Sequence, residues 1–320
     1  MSDRPTAGLV REVLPNGITL LAQRVRTAPA AAIATHVRAG FLDEPDDLVG
    51  ISHVLEHLIF KGTATLPPGE LARRTKALGG VLNAYTSYDR TVYYASLPAR
   101  HAVEALALQA ESVRNPLVDA EELRRELGVI VQEAKRKRDT PGAVAAETLH
   151  ELLYDAHRLR RWRIGEEDRI AAFTREEVLG YHASRYVPSR TIAVMVADLD
   201  ESEMLDALRA AYGDWAGVVP APAPAPAETG EPTQRTRTIE ADVALAEVVL
   251  GWRAPAPLDP MAKPLDVAAA ILANGRGARL PRLLRETGLV TGVSAGLYGS
   301  EDPFGGPGAG VFAISVETDP

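Results

Sequence analysis

The sequence predicts a mixed α/β chain of two domains, and three observations carry that reading. Its 320 residues are about twice a usual domain length. A P-A-P-A-P-A-P-A run inside 218–235 reads as an extended spacer, which sets a first domain at 1–217 and a second at 236–320. The order strand, helix, helix, strand, strand resumes beyond that spacer.

Taken in order, 9–25 reads as a hairpin, because two apolar runs flank the turn signal Pro15-Asn16-Gly17. A third strand covers 31–37, and 43–47 is an acidic loop. A helix follows within 50–63, ended at Lys61 and Gly62, with the glycine in the left-handed cap. The stretch 71–78 is a short helix stopped by Gly79-Gly80. Aromatic and β-branched residues make 81–97 strand, interrupted at Asn83, Thr86, Ser87 and Asp89 as turn or edge positions would be. Such an edge could accept an extended peptide as an added strand; an ordinary hairpin fits the residues equally well. A helix at 101–113 has Val103, Leu106, Ala110 and Val113 on its inner side. A longer one runs from Asp119, its N-cap, to Arg138. Helices at 143–154, 175–186 and 201–212 and a strand at 192–197 complete the first domain. The second has strands at 244–252, 290–298 and 310–316 and helices at 265–273 and 279–286.

The helix at 50–63 carries the chemistry. Its run G-I-S-H-V-L-E-H-L-I-F-K-G-T puts His53, Glu56 and His57 at i, i+3 and i+4, on one face. Val54, Leu55, Leu58, Ile59 and Phe60 surround them with apolar surface. Polar groups gathered in a core need a partner, and a divalent metal with a water supplies one. The spacing H-x-x-E-H inverts the H-E-x-x-H metalloprotease helix, and two imidazoles four apart suit Zn²⁺. Glu56 then lies close enough to take a proton from a water at the metal. On the 119–138 helix, Glu126 and Glu133 share the inward stripe of Leu123, Leu127, Ile130 and Ala134. Carboxylates are rarely buried unpaired, so Glu133 is read as the third ligand and Glu126 as its support. The other histidines, at 36, 101, 150, 157 and 182, and Trp162 and Trp215 are read as structural or surface residues.

Composition narrows the rest. Hydrophobic residues make up 46% of the chain, enough for a large core, and the net charge of −8 argues against non-specific binding to nucleic acid or acidic membranes. The absence of cysteine rules out disulfides and thiolate ligands. No apolar leader or run of 18 apolar residues is found, which leads to the expectation of a cytoplasmic protein.

Those motifs make the chain resemble the pitrilysin/insulinase family of zinc metallopeptidases (peptidase family M16), on its bacterial, processing-peptidase-like branch. The resemblance is carried by H-V-L-E-H-L-I-F-K-G-T, by G-G-V-L-N-A-Y-T-S-Y-D-R-T-V-Y-Y, and by Glu126 and Glu133. L-A-N-G-R-G-A-R-L and S-A-G-L-Y-G-S-E-D-P extend it through the second domain. It implies His53, His57 and Glu133 as zinc ligands, Glu56 as general base and Glu126 as the supporting carboxylate. Asn83, Ala84 and Tyr85 would hold the substrate backbone. It implies two similar domains, each a mostly antiparallel sheet with helices on one face, the second incomplete, together half of a clamshell. The family also uses an Arg and a Tyr from the opposite half. Here L-L-R-E-T-G-L-V-T keeps Arg285 but has Thr291 at the Tyr position. The expected function is therefore zinc-dependent cleavage of peptides or unfolded segments, with this chain as the zinc-bearing half. The missing half would be a homo- or heterodimer partner or a C-terminal half. The competing readings are a non-catalytic assembly subunit and a peptide-binding clamp with structural zinc.

Overall fold

The computed structural model describes residues 8–217, 226, 228, 230, 233–300 and 309–319. In chain order the elements are β1 (Val10–Val13), β2 (Thr19–Arg24), β3 (Ala30–Val37), α1 (Ile51–Ile59), α2 (Glu70–Ala77), β4 (Val81–Thr86) and β5 (Thr91–Pro98). Then come α3 (Ala102–Arg114), α4 (Ala120–Arg138), α5 (Pro141–Leu153), α6 (Glu167–Ala171), α7 (Arg175–Arg185), β6 (Thr191–Ala197) and α8 (Glu201–Tyr212). The remainder are β7 (Ala246–Ala254), α9 (Lys263–Ala273), β8 (Gly292–Gly299) and β9 (Gly310–Thr318). By their internal contacts they form two compact units. One is Met1–Ile130 with Asp168–Ala223, the other Val131–Glu167 with Pro224–Pro320. The helix α4 continues unbroken through residue 130. The spacer expected at 218–235 lies mostly outside the described residues. The division it suggests, 1–217 against 236–320, differs from the grouping by contacts at 131–167.

The first unit is built on a six-stranded sheet of order β1-β2-β6-β3-β5-β4. The hairpin β1–β2 closes at Gly17, whose φ of +92° suits a residue without a Cβ. Asn16 Nδ2 anchors that turn by donating to the carbonyls of Tyr212 and Trp215. β6 enters between β2 and β3, parallel to β2 and antiparallel to β3, with Thr19 opposite Ile192 and Val37 opposite Thr191. Every other pairing is antiparallel. Strand alternation shows which face is covered: Ala31, Ile33, Thr35 and Val37 of β3 are buried, while Ala30 and Ala32 are exposed. Gln109 of α3 donates to Thr35 Oγ1 at 2.9 Å, so α3 lies on that buried face. Within α3, Leu106, Ala110 and Val113 are buried as expected, but Val103 is 44% exposed. It sits in the first turn, where Ala102 and Ala105 are the buried residues instead.

The second unit holds an antiparallel sheet of order β7-β9-β8. The helix α5 lies on β7 where Gly251 leaves room for it; a Cβ there would come within 2.6 Å of Leu149. Tyr154, at the end of α5, donates to the Gly310 carbonyl at 2.9 Å. These contacts draw 131–167 to the later strands. The helix expected at 279–286 becomes a π-helix over Pro281–Arg285. Its bonds run i to i+5, from Glu286 N–H to Pro281 O and from Leu289 N–H to Leu284 O. Pro281 stands in its first turn, where the N–H it lacks would have no partner within the helix.

Candidate metal centre

The site grows from the start of α1. Gly50 takes φ +96° just before the helix. The fully buried Glu44 accepts from the backbone N–H groups of Gly50 and Ser52, both at 2.9 Å. Those N–H groups have no partner inside the helix, and a carboxylate also complements the positive helix end. Ser52 Oγ meets Tyr181 OH at 2.8 Å. Ile51, Ser52, Val54, Leu55, Leu58 and Ile59 are buried, so the helix is fixed on most of its circumference. His53, Glu56 and His57 are half-buried on what remains. The two imidazoles stand edge to face, with centroids 4.7 Å apart.

α4 brings the carboxylates. Asp119 caps it, accepting from Glu121 N–H at 2.9 Å and Glu122 N–H at 3.1 Å, as expected. Leu123, Leu127, Ile130 and Ala134 are all buried. One ligand atom from each of His53, His57 and Glu133 falls within 4.8 Å of the others. Two imidazoles and a carboxylate are a donor set of the catalytic zinc type, so the residues present fit the implied ion. Glu126 Oε2 lies 3.0 Å from His57 Nδ1, and Glu126 Oε1 lies 2.6 Å from Lys61 Nζ. Burial pushes the Glu126 carboxyl up, but the bonds from Lys61 and His57 outweigh it and leave it below its ordinary value. With Nδ1 engaged by Glu126, His57 keeps Nε2 for a metal.

Glu56 accepts at Oε2 from Thr86 Oγ1 at 2.5 Å. Thr86 ends β4, next to the buried Thr91, which donates to the Ala39 carbonyl at 2.7 Å. Tyr93 and Tyr186 pair through their hydroxyls at 2.8 Å. Burial raises both phenols, and the charge of Glu56 adds to the effect. β4 pairs with β5 as a hairpin and stands at one edge of the sheet. Asn83 and Tyr85 are exposed and Ala84 half-buried along it. Tyr85 leans on Tyr94 with ring centroids 6.3 Å apart. Arg285 is exposed on the π-helix, and Thr291 donates to the Glu317 carboxylate at 2.8 Å.

Sequence reasoning missed Glu44, Lys61 and Thr86. Glu44 looks like one more residue of an acidic loop, although an acid shortly before a helix is a capping signal. Lys61 looks like a helix end, although it stands four residues after His57. Thr86 shares the strand phase of Ala84, which could have marked it as facing the helix.

Comparison with known proteins decides the family. The model described as Insulinase (Peptidase family M16) matches residues 19–167, and Peptidase M16 inactive domain matches 172–320. The chain belongs to peptidase family M16. Within M16, it is 28% identical over 313 residues to an uncharacterized zinc protease of Mycobacterium leprae, covering 95% of this chain and 68% of that protein. A Helicobacter pylori protease structure superposes with a TM-score of 0.89 at 24% identity, covering 98% of this chain and 75% of that one. The first half of the periplasmic protease PqqL from Escherichia coli superposes at 0.69 and 20% identity, covering 97% and 68%. These two structures share the fold. The M16 insulinase segment contains the H-x-x-E-H helix and Glu133, whereas the inactive-domain segment contains β6 to β9.

Proposed function

We propose that this chain is the zinc-bearing half of an M16 endopeptidase that hydrolyses extended peptides. The observation that carries this reading is the convergence of His53, His57 and Glu133 ligand atoms within 4.8 Å. These three side chains would hold the ion. When bound, Zn²⁺ would supply Lewis acidity toward the scissile carbonyl and lower the pKa of a water to about 7. Thr86 Oγ1 holds the Glu56 carboxylate by Oε2, and Glu56 takes the proton of the attacking water. Glu56 then returns that proton to the leaving amine. Glu126 holds His57 by Nδ1 and fixes its ring. The open edge of β4 pairs with substrate backbone along Asn83, Ala84 and Tyr85, which restricts substrates to peptides and unfolded segments. A second half completes the chamber; the likeness to the first half of PqqL, and to 36% of the whole PqqL chain, supports that reading.

The test is chelator-sensitive cleavage of an unstructured peptide, alone and with a candidate partner half, alongside zinc content. Glu56→Gln should retain zinc and lose about 10²–10⁴-fold in kcat. A fully active Glu56→Gln variant would remove Glu56 from the mechanism. Zinc-free chain with unimpaired cleavage would end the metallopeptidase reading.

A further inference from the structure

We infer that Lys61 is a positioning residue of the metal centre, acting through Glu126 on His57. The inference rests on the proposed metal site but concerns a residue that the H-x-x-E-H motif does not include. The geometry is a bridge. Glu126 spends one carboxylate oxygen on His57 Nδ1, at 3.0 Å, and the other on Lys61 Nζ, at 2.6 Å. The Glu126 side chain is 11% exposed and that of Lys61 31%, so the carboxylate is withdrawn from water while the ammonium reaches it from the rim.

The backbone at Lys61 is fixed. Its N–H donates to Leu58 O at 2.9 Å, closing the end of α1. The next residue, Gly62, takes φ +107°, and its carbonyl accepts from Leu117 N–H at 3.0 Å. Lys61 therefore has its backbone anchored, and its ammonium lies against the Glu126 carboxylate.

Two effects of opposite sign follow from that placement. A cation beside a dication site repels the ion, so simple Coulomb repulsion predicts tighter zinc binding once Lys61 is neutralised. Against this, Lys61 holds the Glu126 carboxylate in the rotamer that receives His57 Nδ1–H, which fixes the tautomer and frees Nε2. Without it, a buried carboxylate oxygen loses its partner and the group turns toward solvent or toward the ligands. Glu56, Glu126 and Glu133 place three carboxylates around the site, and a dication plus the Lys61 ammonium would balance them. The bridge is short and the carboxylate is buried, so the positioning effect is the larger.

The experiment compares Lys61→Met and Lys61→Arg with the unaltered chain, using zinc affinity by chelator competition and the His57 tautomer by ¹⁵N NMR of metal-free protein. Lys61→Met should weaken zinc binding about tenfold and mix the His57 tautomers, while Lys61→Arg stays within about threefold of the parent. In a Glu126→Gln background, Lys61→Met should cause no further loss of zinc affinity. Unchanged or tighter zinc binding by Lys61→Met, or a full effect in the Glu126→Gln background, overturns the inference. If the parent chain takes up no zinc, the metal reading fails, and the tautomer comparison still decides the role of Lys61. An ill-folded Lys61→Met chain is replaced by Lys61→Gln in the same measurements.

Discussion

Replacing Glu44 by Gln tests how the start of α1 is held. The Glu44 carboxylate accepts two backbone N–H bonds, from Gly50 and Ser52, in a position sealed from water. A glutamine keeps one acceptor oxygen and turns an NH₂ toward the other N–H. One charge-assisted bond is lost, at about 1.5–3 kcal/mol, and the negative charge at the helix end goes with it, at up to about 2 kcal/mol. Burying a neutral amide in place of an ion offsets part of this. The expected net cost is about 2–4 kcal/mol. Hydrogen exchange at the α1 amides reads it directly, since each 1.4 kcal/mol is a factor of ten. Protection should fall about 30- to 700-fold. His53 is the third residue of α1, so fraying there should also weaken zinc retention. A loss of protection under about fivefold would refute the capping argument.

Gly62→Ala should destabilise the first unit by about 2–4 kcal/mol, because φ is +107° and a Cβ would sit 2.7 Å from Leu66 O; a urea midpoint unchanged from the parent would contradict it. Glu133→Gln should weaken zinc binding more than Glu126→Gln does, measured by chelator competition on both, and equal losses would overturn the ligand assignment. Burial holds the His182 imidazole below its ordinary value, with its bond to Val113 O offsetting only part. It stays neutral in the fold while the unfolded chain protonates. Its contribution is therefore intact above about pH 6.5 and declines as pH falls toward the folded value. His182→Gln should flatten that decline in urea titrations between pH 7 and 5, without abolishing it, since burial depresses His150 as well.

What could be read from the sequence was local. Period-two and helical patterns locate β1 to β6 and, apart from the short α6 (Glu167–Ala171), α1 to α8 closely, and H-x-x-E-H alone puts His53, Glu56 and His57 on one face. Asp119 announced its own cap. Long-range features did not announce themselves. Nothing in 191–197 says that β6 will enter between β2 and β3, or run parallel to β2. Nothing in α5 says that Gly251, about a hundred residues later, will make room for Leu149. The Thr86–Glu56 and Lys61–Glu126 bonds join residues 30 and 65 positions apart, a separation that no pattern of neighbours records. Val103 failed for a different reason: helical phase alone cannot tell which residue of a first turn reaches the sheet.

The position of β6 has a consequence for biosynthesis. As the polypeptide leaves the ribosome, β2 and β3 emerge more than 150 residues before the strand that belongs between them. Until 191–197 arrives, each has one bare edge and an apolar face, the condition in which chains pair with the wrong neighbour. A fragment cut at residue 167, where the first family segment ends, would carry the ligand-bearing helices on a sheet lacking a central strand.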